Sequence, residues 1–566
     1  MNKAALHAYN EFPEKIEIPG LTTETRVFYD LRDNLAKDLA VLRYKEAQSL
    51  AWVVFVGGTG TGKSTLFNAL CGDQISRIGV ERPTTDVPVV YIHATHVPDE
   101  TFPLSDVPIR EEPEETGNHN TRKHLVVFPH NRDDIAHLAL VDTPDLDSLD
   151  LANRRMTEDL YRLADLIVFV TSQEKYADEI PSRMLSRVTR EGRPYLFLFN
   201  KADPDTTREE VVAFFRKREM DIDDNRVWLI PYTTAPSPQR LAEEKAFTGF
   251  TDRFHEIVWE ENFLDFLAHQ RRLRVEQIRI SLLSFLDLLE REKAAGDRWL
   301  ERLDVLFEEQ GRALFHQFET HFKRDNQGHI QQEISKIYSR YDILSKPRHY
   351  IKQVVLAPLT FLGLRDRDGG DHRHKKDLEE IRKQTDITPI LSAISAANRR
   401  VLEDLQPDDQ GSSFAAALQQ DTLVLSDREV QDHIERLQED LMAWIERKFR
   451  DLAKGIPKYK EVGIYSTAIM WGGLILSFEI VIGGGIGVIE AALDSFLAPL
   501  VTKGSVSLFA YHEIQGIARE LDAKYREGIQ AILNEQENRY TSCMEPFLIQ
   551  EDTIRELEDL KAELEQ

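Results

Sequence analysis

The sequence predicts a protein of two parts, an α/β domain with a mostly parallel sheet followed by a long all-α region. Six short apolar runs predict the first part, because continuous runs of this kind form strands that are buried on both faces. Apolar residues at helical spacing after about residue 250 predict the second part. The six runs lie at 52–56, 89–93, 138–142, 166–170, 195–199 and 227–231.

Composition limits the classes of protein that this chain could be. With 566 residues, of which 42% are hydrophobic and 30% charged, the chain can build two or three packed domains. The formal net charge of -26 makes the average surface repel phosphate polymers, which disfavours extended nucleic-acid binding. Cys71 and Cys543 are the two cysteines, so a disulfide framework and a Cys-rich zinc site are excluded. The first residues lack the apolar core of a secretory signal, and we expect a cytoplasmic protein.

The elements follow one another in a clear order along the chain. A helical lead-in over 1–50 is predicted by Leu31, Leu35, Leu39 and Leu42, which recur at helical spacing. The α/β domain follows, with a polar insertion at about 97–124 between two of its strands. The predicted boundaries are 1–50 for the lead-in, 51–245 for the α/β domain, 246–461 for a helical bundle or stalk, 462–502 for an apolar segment and 503–566 for C-terminal helices, whose last one is either a short coiled coil or a packed helix.

The segment GGTGTGKST matches the pattern G-x-x-x-x-G-K-[ST] in full and lies between a predicted strand and a helical stretch. Its glycines let successive backbone N–H groups turn toward phosphates, Lys63 reaches the β- and γ-phosphates, and the Ser64 hydroxyl ligates Mg²⁺. We therefore expect a nucleoside triphosphate and Mg²⁺ at this loop. The predicted nucleotide-binding residues of the loop are Gly57, Gly58, Thr59, Gly60, Thr61, Gly62, Lys63, Ser64 and Thr65.

The segment NKAD at the end of the fifth run identifies the base. Asp203 supplies a carboxylate that accepts hydrogen bonds from the guanine N1–H and exocyclic amine, which adenine does not offer. Lys201 is placed to lie along the base, and Asn200 completes the pattern. The predicted nucleotide is therefore GTP.

Asp142 ends the strand LALVD between these two motifs, where a carboxylate holds Mg²⁺ through water. Together the motifs resemble the translation-factor-related class of P-loop GTPases, over about residues 50–240. The resemblance implies that one threonine of PTTDVP, Thr84 or Thr85, ligates Mg²⁺ beside the γ-phosphate; we favour Thr85, with a surface turn as the alternative. It also implies backbone contacts to guanine from Thr233 to Ala235. The predicted metal ligands are Ser64, Thr85 and Asp142, and the predicted catalytic residues are Lys63, Thr85 and Asp145.

Asp145 and Leu146, which follow Asp142 in the chain, both depart from the class pattern. Asp145 stands where the D-x-x-G motif has glycine, so that a carboxylate either repels the γ-phosphate or orients a water. Leu146 stands where many small GTPases have the glutamine that positions the attacking water. Hydrolysis would still depend on positioning and charge stabilisation by the P-loop, Lys63 and Mg²⁺. We expect slow basal turnover.

Residues 462–502 are the most apolar stretch of the chain. Glycines interrupt it, and Glu479, Glu490 and Asp494 lie within it, so one continuous transmembrane helix is not predicted. Lysines on both outer sides favour a hairpin that enters the membrane from its cytoplasmic face, and a buried pair of glycine-rich helices is the alternative. The apolar patch at 350–364 is too short to span and joins the same region in this interpretation.

The order of these parts resembles that of bacterial dynamin-like proteins. The resemblance implies a GTPase that self-associates through its G domains and whose helical region contacts or remodels membrane, as a peripheral or hairpin-anchored protein. The alternative hypothesis is a regulatory GTPase, an assembly switch that binds a protein or ribosomal partner without membrane activity.

Overall fold

A computed structural model describes residues 15–76, 87–98, 102–103, 109–110, 124–146, 151–176, 179–218, 220, 222–233, 238–258, 260–325, 387–455, 477, 481, 493–494 and 508–565. The chain divides into two compact units. The first comprises 1–16, 26–288 and 551–566, and the second comprises 17–25 and 289–550.

Strands and helices occur where the sequence places the two parts. The strands are β1 Ala51–Gly57, β2 Val89–His93, β3 Ile109–Arg110, β4 Leu125–His130, β5 Leu138–Asp142, β6 Leu166–Ser172, β7 Tyr195–Ala202 and β8 Val227–Pro231. The helices are α1 Thr25–Ala47, α2 Lys63–Cys71, α3 Leu151–Leu163, α4 Glu179–Arg190, α5 Arg208–Arg216, α6 Pro238–Ala242, α7 Lys245–Val258, α8 Glu260–Asp325, α9 Thr388–Asp404, α10 Ser413–Leu418, α11 Asp427–Gly455, α12 Leu508–Met544 and α13 Glu551–Leu564.

The first unit is built on one sheet with the strand order β3-β4-β2-β5-β1-β6-β7-β8. Neighbouring strands are parallel except β2 and β5, which pair antiparallel. The carboxyl ends of β1, β5, β6 and β7 therefore lie at one edge of the sheet, where ligands bind in open parallel sheets. The predicted fold class, an α/β domain followed by a helical region, is confirmed.

Helices cover both faces of the sheet, which explains why its strands are apolar without alternation. On one face of β1, Trp52 and Val54 belong to a core to which α1, α3, α4 and α5 contribute. On the other face, Val53 and Phe55 belong to a core to which α2, α6 and α7 contribute. All six predicted runs are strands. The sequence interpretation missed β4, whose apolar run LVVF directly follows the polar insertion, and it missed the short β3 inside that insertion.

The second unit is helical and has one core, formed by the later part of α8 together with α9, α10, α11 and α12. The predicted periodic residues of α11 lie on its buried side, with Val430, Ile434 and Leu441 in the core. Helical spacing in the sequence therefore identified the packed face of this helix. In the first unit, Leu557, Leu560 and Leu564 bury one stripe of α13.

Most of the apolar segment 462–502 and the whole patch 350–364 lie outside the described residues. Of the described positions in the segment, Val481 and Leu493 are fully buried in the core of the second unit, and Asp494 Oδ1 accepts a hydrogen bond of 2.6 Å from Gln515 Nε2 in α12. These positions pack against the helical unit. Among the helices of the described ranges, none combines the length and apolarity that a bilayer crossing requires.

Two glycines of α12 give a prediction about packing in the second unit. A Cβ added at Gly528 would lie 2.2 Å from Leu437 Cδ1 and 2.9 Å from its Cγ, whereas a Cβ at Gly516 meets nothing within 4 Å. We expect Gly528→Ala to destabilise the unit by about 1–3 kcal/mol, because the overpacked leucine must move. Gly516→Ala, the matched control, should stabilise it by about 0.5–1 kcal/mol through helix propensity. Chemical denaturation checks both signs, and equal effects of the two substitutions would contradict the prediction.

Candidate nucleotide-binding site

The loop between β1 and α2 is shaped by glycines that no other residue could replace without strain. A Cβ at Gly57 would lie 2.4 Å from the carbonyl oxygen of Val170 on the neighbouring strand. Gly60 and Gly62 have φ values of 76° and 85°, in the left-handed region that favours glycine. A Cβ at Gly62 would also lie 2.3 Å from Asn200 Nδ2. The three glycines therefore allow the loop to turn tightly over the strand ends.

The end of β7 is bonded directly to this loop. Asn200 Nδ2 donates a hydrogen bond of 2.8 Å to the carbonyl oxygen of Thr61, and Lys201 Nζ donates one of 2.8 Å to the carbonyl oxygen of Gly60. Thr61 Oγ1 in turn donates to the carbonyl oxygen of Gly58 at 2.9 Å. The structure thus brings together the two motifs that the sequence predicts for the phosphates and the base, although they are about 140 residues apart.

Asp203, the predicted base-reading residue, lies on the exposed turn that follows β7, where its backbone carbonyl accepts from the N–H of Thr206 at 3.0 Å. Thr233 lies just after β8. The end of β8 is held near the turn that follows β7, because the N–H of Tyr232 donates to the carbonyl oxygen of Ala202 at 3.2 Å. Thr234 and Ala235 lie outside the described residues. The ends of β7 and β8 are therefore joined by a backbone hydrogen bond next to the base motif.

Lys63 and Asp142 form a buried ion pair at the centre of this edge. Lys63 Nζ lies 2.6 Å from Asp142 Oδ1, and the two side chains are 3% and 0% exposed. The ammonium also donates to the carbonyl oxygen of Thr143. A buried pair of this kind is stable only while both charges are present, since removal of one leaves the other uncompensated. Lys63 is therefore held at the place where the strand of Asp142 ends.

The other oxygen of Asp142 is bonded to a residue that sequence reasoning missed. Ser76 Oγ donates a hydrogen bond of 2.7 Å to Asp142 Oδ2. The only sequence signal is weak: Asn68, which holds Ser76, is a polar residue within the otherwise apolar segment LFNAL. A single serine after a helix has no pattern that would identify it.

Of the predicted switch residues, the structure describes Asp145 and Leu146. Thr84 and Thr85 lie in 77–86, outside the described residues. Asp145 is 8% exposed, so the carboxylate that replaces the class glycine is nearly buried. The N–H of Leu146 donates to the carbonyl oxygen of Gly57 at 3.0 Å, which ties the segment after β5 to the first residue of the P-loop.

The side chains at this edge fit Mg²⁺. Ser64 follows Lys63 in the first turn of α2, and Asp142 contacts Lys63, so that a hydroxyl and a carboxylate lie at the same end of the loop. Mg²⁺ prefers such hard oxygen ligands and takes the remainder from phosphates and water. Burial, assisted by the charge of Asp142, raises the pKa of the Cys71 thiol well above the usual value.

Parts of the chain are similar to known proteins. A family model described as 50S ribosome-binding GTPase matches residues 52–201. The chain is 22% identical over 319 residues to a probable transmembrane GTPase, FZO-like and chloroplastic, from Arabidopsis thaliana, and the match covers 50% of this chain and 33% of that relative. The chain therefore spans about a third of the length of this relative.

Solved structures are similar over different parts of the chain. A structure of an oligomerised bacterial dynamin pair, described for the long-range sensing and tethering of membranes, covers 94% of this chain and 92% of its own, with 12% identity and a TM-score of 0.42. Era in complex with MgGDPNP and nucleotides of 16S ribosomal RNA covers 34% of this chain and 52% of its own, with 16% identity and a TM-score of 0.22.

Proposed function

We propose that this chain, whose residues 52–201 match a family model described as 50S ribosome-binding GTPase, is a P-loop GTPase that couples GTP hydrolysis to membrane contact by its helical region. The match of the family model supports the GTPase predicted from the sequence.

The observation that carries the nucleotide assignment is the direct bonding of Asn200 and Lys201 to the P-loop, because it makes phosphate and base recognition one site. In our proposal the backbone N–H groups of the loop bind the phosphates and Lys63 turns from Asp142 to the β- and γ-phosphates. Asp203 accepts from guanine. Ser64, Asp142 and Thr85 would hold Mg²⁺, which would supply positive charge beside the phosphate oxygens.

The attacking water needs a polar group that orients it toward the γ-phosphate. Because Leu146 has no polar side-chain atom, it cannot orient water, and the nearly buried carboxylate of Asp145 is the neighbouring polar group. A carboxylate there either accepts a proton from the water or repels the γ-phosphate. Turnover by the isolated chain is slow in both cases, and association of two G domains accelerates it by completing the site.

Membrane contact is proposed for the apolar part of 462–502 that lies outside the described residues. The segment is the most apolar stretch of an acidic chain, and the relative from Arabidopsis thaliana is described as a probable transmembrane GTPase. Val481 and Leu493 then attach the segment to the second unit while other apolar positions face lipid. This arrangement would connect the helical unit to the bilayer surface.

The burial of Val481 and Leu493 also favours a second function, that of a regulatory GTPase without membrane activity. Full burial of Val481 and Leu493 is what a segment packed wholly inside the helical unit would show. In that case the chain is a regulatory GTPase that binds a protein partner through its helical half. Membrane binding and partner binding therefore make opposite predictions for charged substitutions in the segment.

The test places lysines at two kinds of position. Ile469→Lys with Leu474→Lys should abolish flotation with vesicles of phosphatidylcholine and phosphatidylglycerol, while thermal stability and GTP hydrolysis are retained. Val481→Lys, the matched control in the described core, should lower the thermal midpoint sharply, because an unpaired charge is buried. If the double substitution destabilises the chain as Val481→Lys does, the whole segment is core and the membrane proposal is wrong.

A further inference from the structure

Asp142 has a hydrogen-bond or ionic partner on each carboxylate oxygen. Oδ1 lies 2.6 Å from Lys63 Nζ, and Oδ2 accepts a hydrogen bond of 2.7 Å from Ser76 Oγ. Ser76 is 1% exposed and Asp142 is fully buried, so both bonds are shielded from water. Hydrogen bonds to an ionised, buried carboxylate are stronger than those between neutral groups. Ser76 therefore has a defined effect on the orientation of this carboxylate.

Ser76 is itself fixed from the P-loop helix. Asn68, a fully buried residue of α2, accepts from the N–H groups of Ile75 and Ser76 at 3.0 and 2.8 Å, and its Nδ2 donates to the carbonyl oxygen of Ser76 at 2.8 Å. Both the amide oxygen and the amide nitrogen of Asn68 are used in this way. The backbone of Ser76 thus has a fixed place relative to the helix that begins with Lys63 and Ser64.

We propose that Ser76 is a positioning residue for the Mg²⁺ of the GTPase site, and that it acts by holding Asp142 Oδ2 so that the carboxylate keeps one orientation. The inference rests on the proposed role of Asp142 toward Mg²⁺. When Lys63 turns to the phosphates, Oδ1 loses its partner, and the bond from Ser76 is the one that keeps the carboxylate from rotating. Without that bond, Asp142 is free to follow the ammonium of Lys63 and to compete with the phosphates for it.

A nucleotide-release measurement tests this role without relying on hydrolysis. The chain is loaded with a fluorescent GDP carrying an N-methylanthraniloyl group, and the release rate is measured against Mg²⁺ concentration. We expect Ser76→Ala to raise the Mg²⁺ concentration that half-maximally slows release by about 10-fold to 100-fold, the usual effect of removing a partner of a metal ligand. In EDTA, the affinity of Ser76→Ala for the same nucleotide should equal that of the wild type.

Three variants keep the outcome interpretable. Ser76→Cys preserves the size of the side chain but offers a weaker donor, so it should shift the Mg²⁺ dependence in the same direction even if Ser76→Ala does not fold. Ser76→Thr, which keeps the hydroxyl, should restore the wild-type dependence. Thr171→Val removes a buried hydroxyl of β6 whose Oγ1 has no hydrogen-bond partner among the described residues, and it should change nothing.

Two results would overturn the inference. Wild-type Mg²⁺ dependence in Ser76→Ala and Ser76→Cys would mean that Ser76 does not position Asp142. Equal loss of nucleotide affinity with Mg²⁺ and in EDTA would mean that Ser76 only supports the local backbone. A wild-type chain whose nucleotide release ignores Mg²⁺ would instead contradict the proposed metal site, so the two failures are distinguishable.

Discussion

Lys63→Ala is expected to reduce the rate of GTP hydrolysis by about 100-fold to 1000-fold, because it removes the side-chain cation placed to stabilise charge on the transferring phosphoryl group. The purified chain and the variant are compared by phosphate release at saturating GTP. Lys37→Ala is the matched control, since Lys37 is a half-exposed lysine of the same unit that pairs with Asp159 at the surface. Hydrolysis at the wild-type rate in Lys63→Ala would contradict the assignment of the site.

The same substitution should also lower the stability of the nucleotide-free chain. Lys63 and Asp142 are both buried, and removal of the ammonium leaves the carboxylate without its ionic partner. Breaking a buried pair from one side costs about 3–5 kcal/mol. Chemical denaturation of the nucleotide-free protein measures this cost, which Lys37→Ala should not show because exposed ion pairs contribute little.

Asp203→Asn is expected to change which purine nucleotide the site prefers. The carboxylate accepts from the N1–H and the exocyclic amine of guanine, and an amide at the same place presents a donor to one of them. We expect the affinity ratio of GTP to XTP to fall by at least about 100-fold, since two charge-assisted hydrogen bonds are affected. Competition between the two nucleotides measures the ratio.

Asp205→Asn supplies a matched control for that experiment. Asp205 is an exposed aspartate of the same turn, two residues further along, and the motif assigns it no contact to the base. Its amide variant has the same change in charge and should keep the guanine preference. Equal effects of the two substitutions would show that overall charge, rather than recognition of the base by Asp203, sets the preference.

Local patterns predicted the parts of this protein that depend on short stretches of sequence. The P-loop could be identified because its glycines and Lys63 are fixed by spacing alone, and left-handed backbone at Gly60 and Gly62 agrees with that pattern. The strands could be identified because burial on both faces requires continuous apolar runs. The helical half could be identified as helical from the period of its apolar residues.

Contacts between distant positions could not be predicted in the same way. Ser76 and Asp142 are 66 residues apart, and the one weak signal near Ser76, the polar residue Asn68, does not indicate that the two meet. Lys201 was assigned to the base, yet its ammonium also bonds the carbonyl oxygen of Gly60, a contact visible only once β7 lies near the loop. The burial of Val481 likewise depends on which helices surround it. Tertiary packing decides each of these cases.

Flotation of the 566-residue chain with vesicles, compared between a non-hydrolysable GTP analogue and GDP, is the most direct test of coupling between the G domain and membrane. The vesicles contain phosphatidylcholine with phosphatidylglycerol, and a matched sample of pure phosphatidylcholine separates headgroup attraction from insertion of apolar residues. Coupling predicts more protein in the vesicle fraction with the GTP analogue than with GDP, and no such difference for Lys63→Ala. Absence of the wild-type chain from the vesicle fraction in both nucleotide states would contradict it.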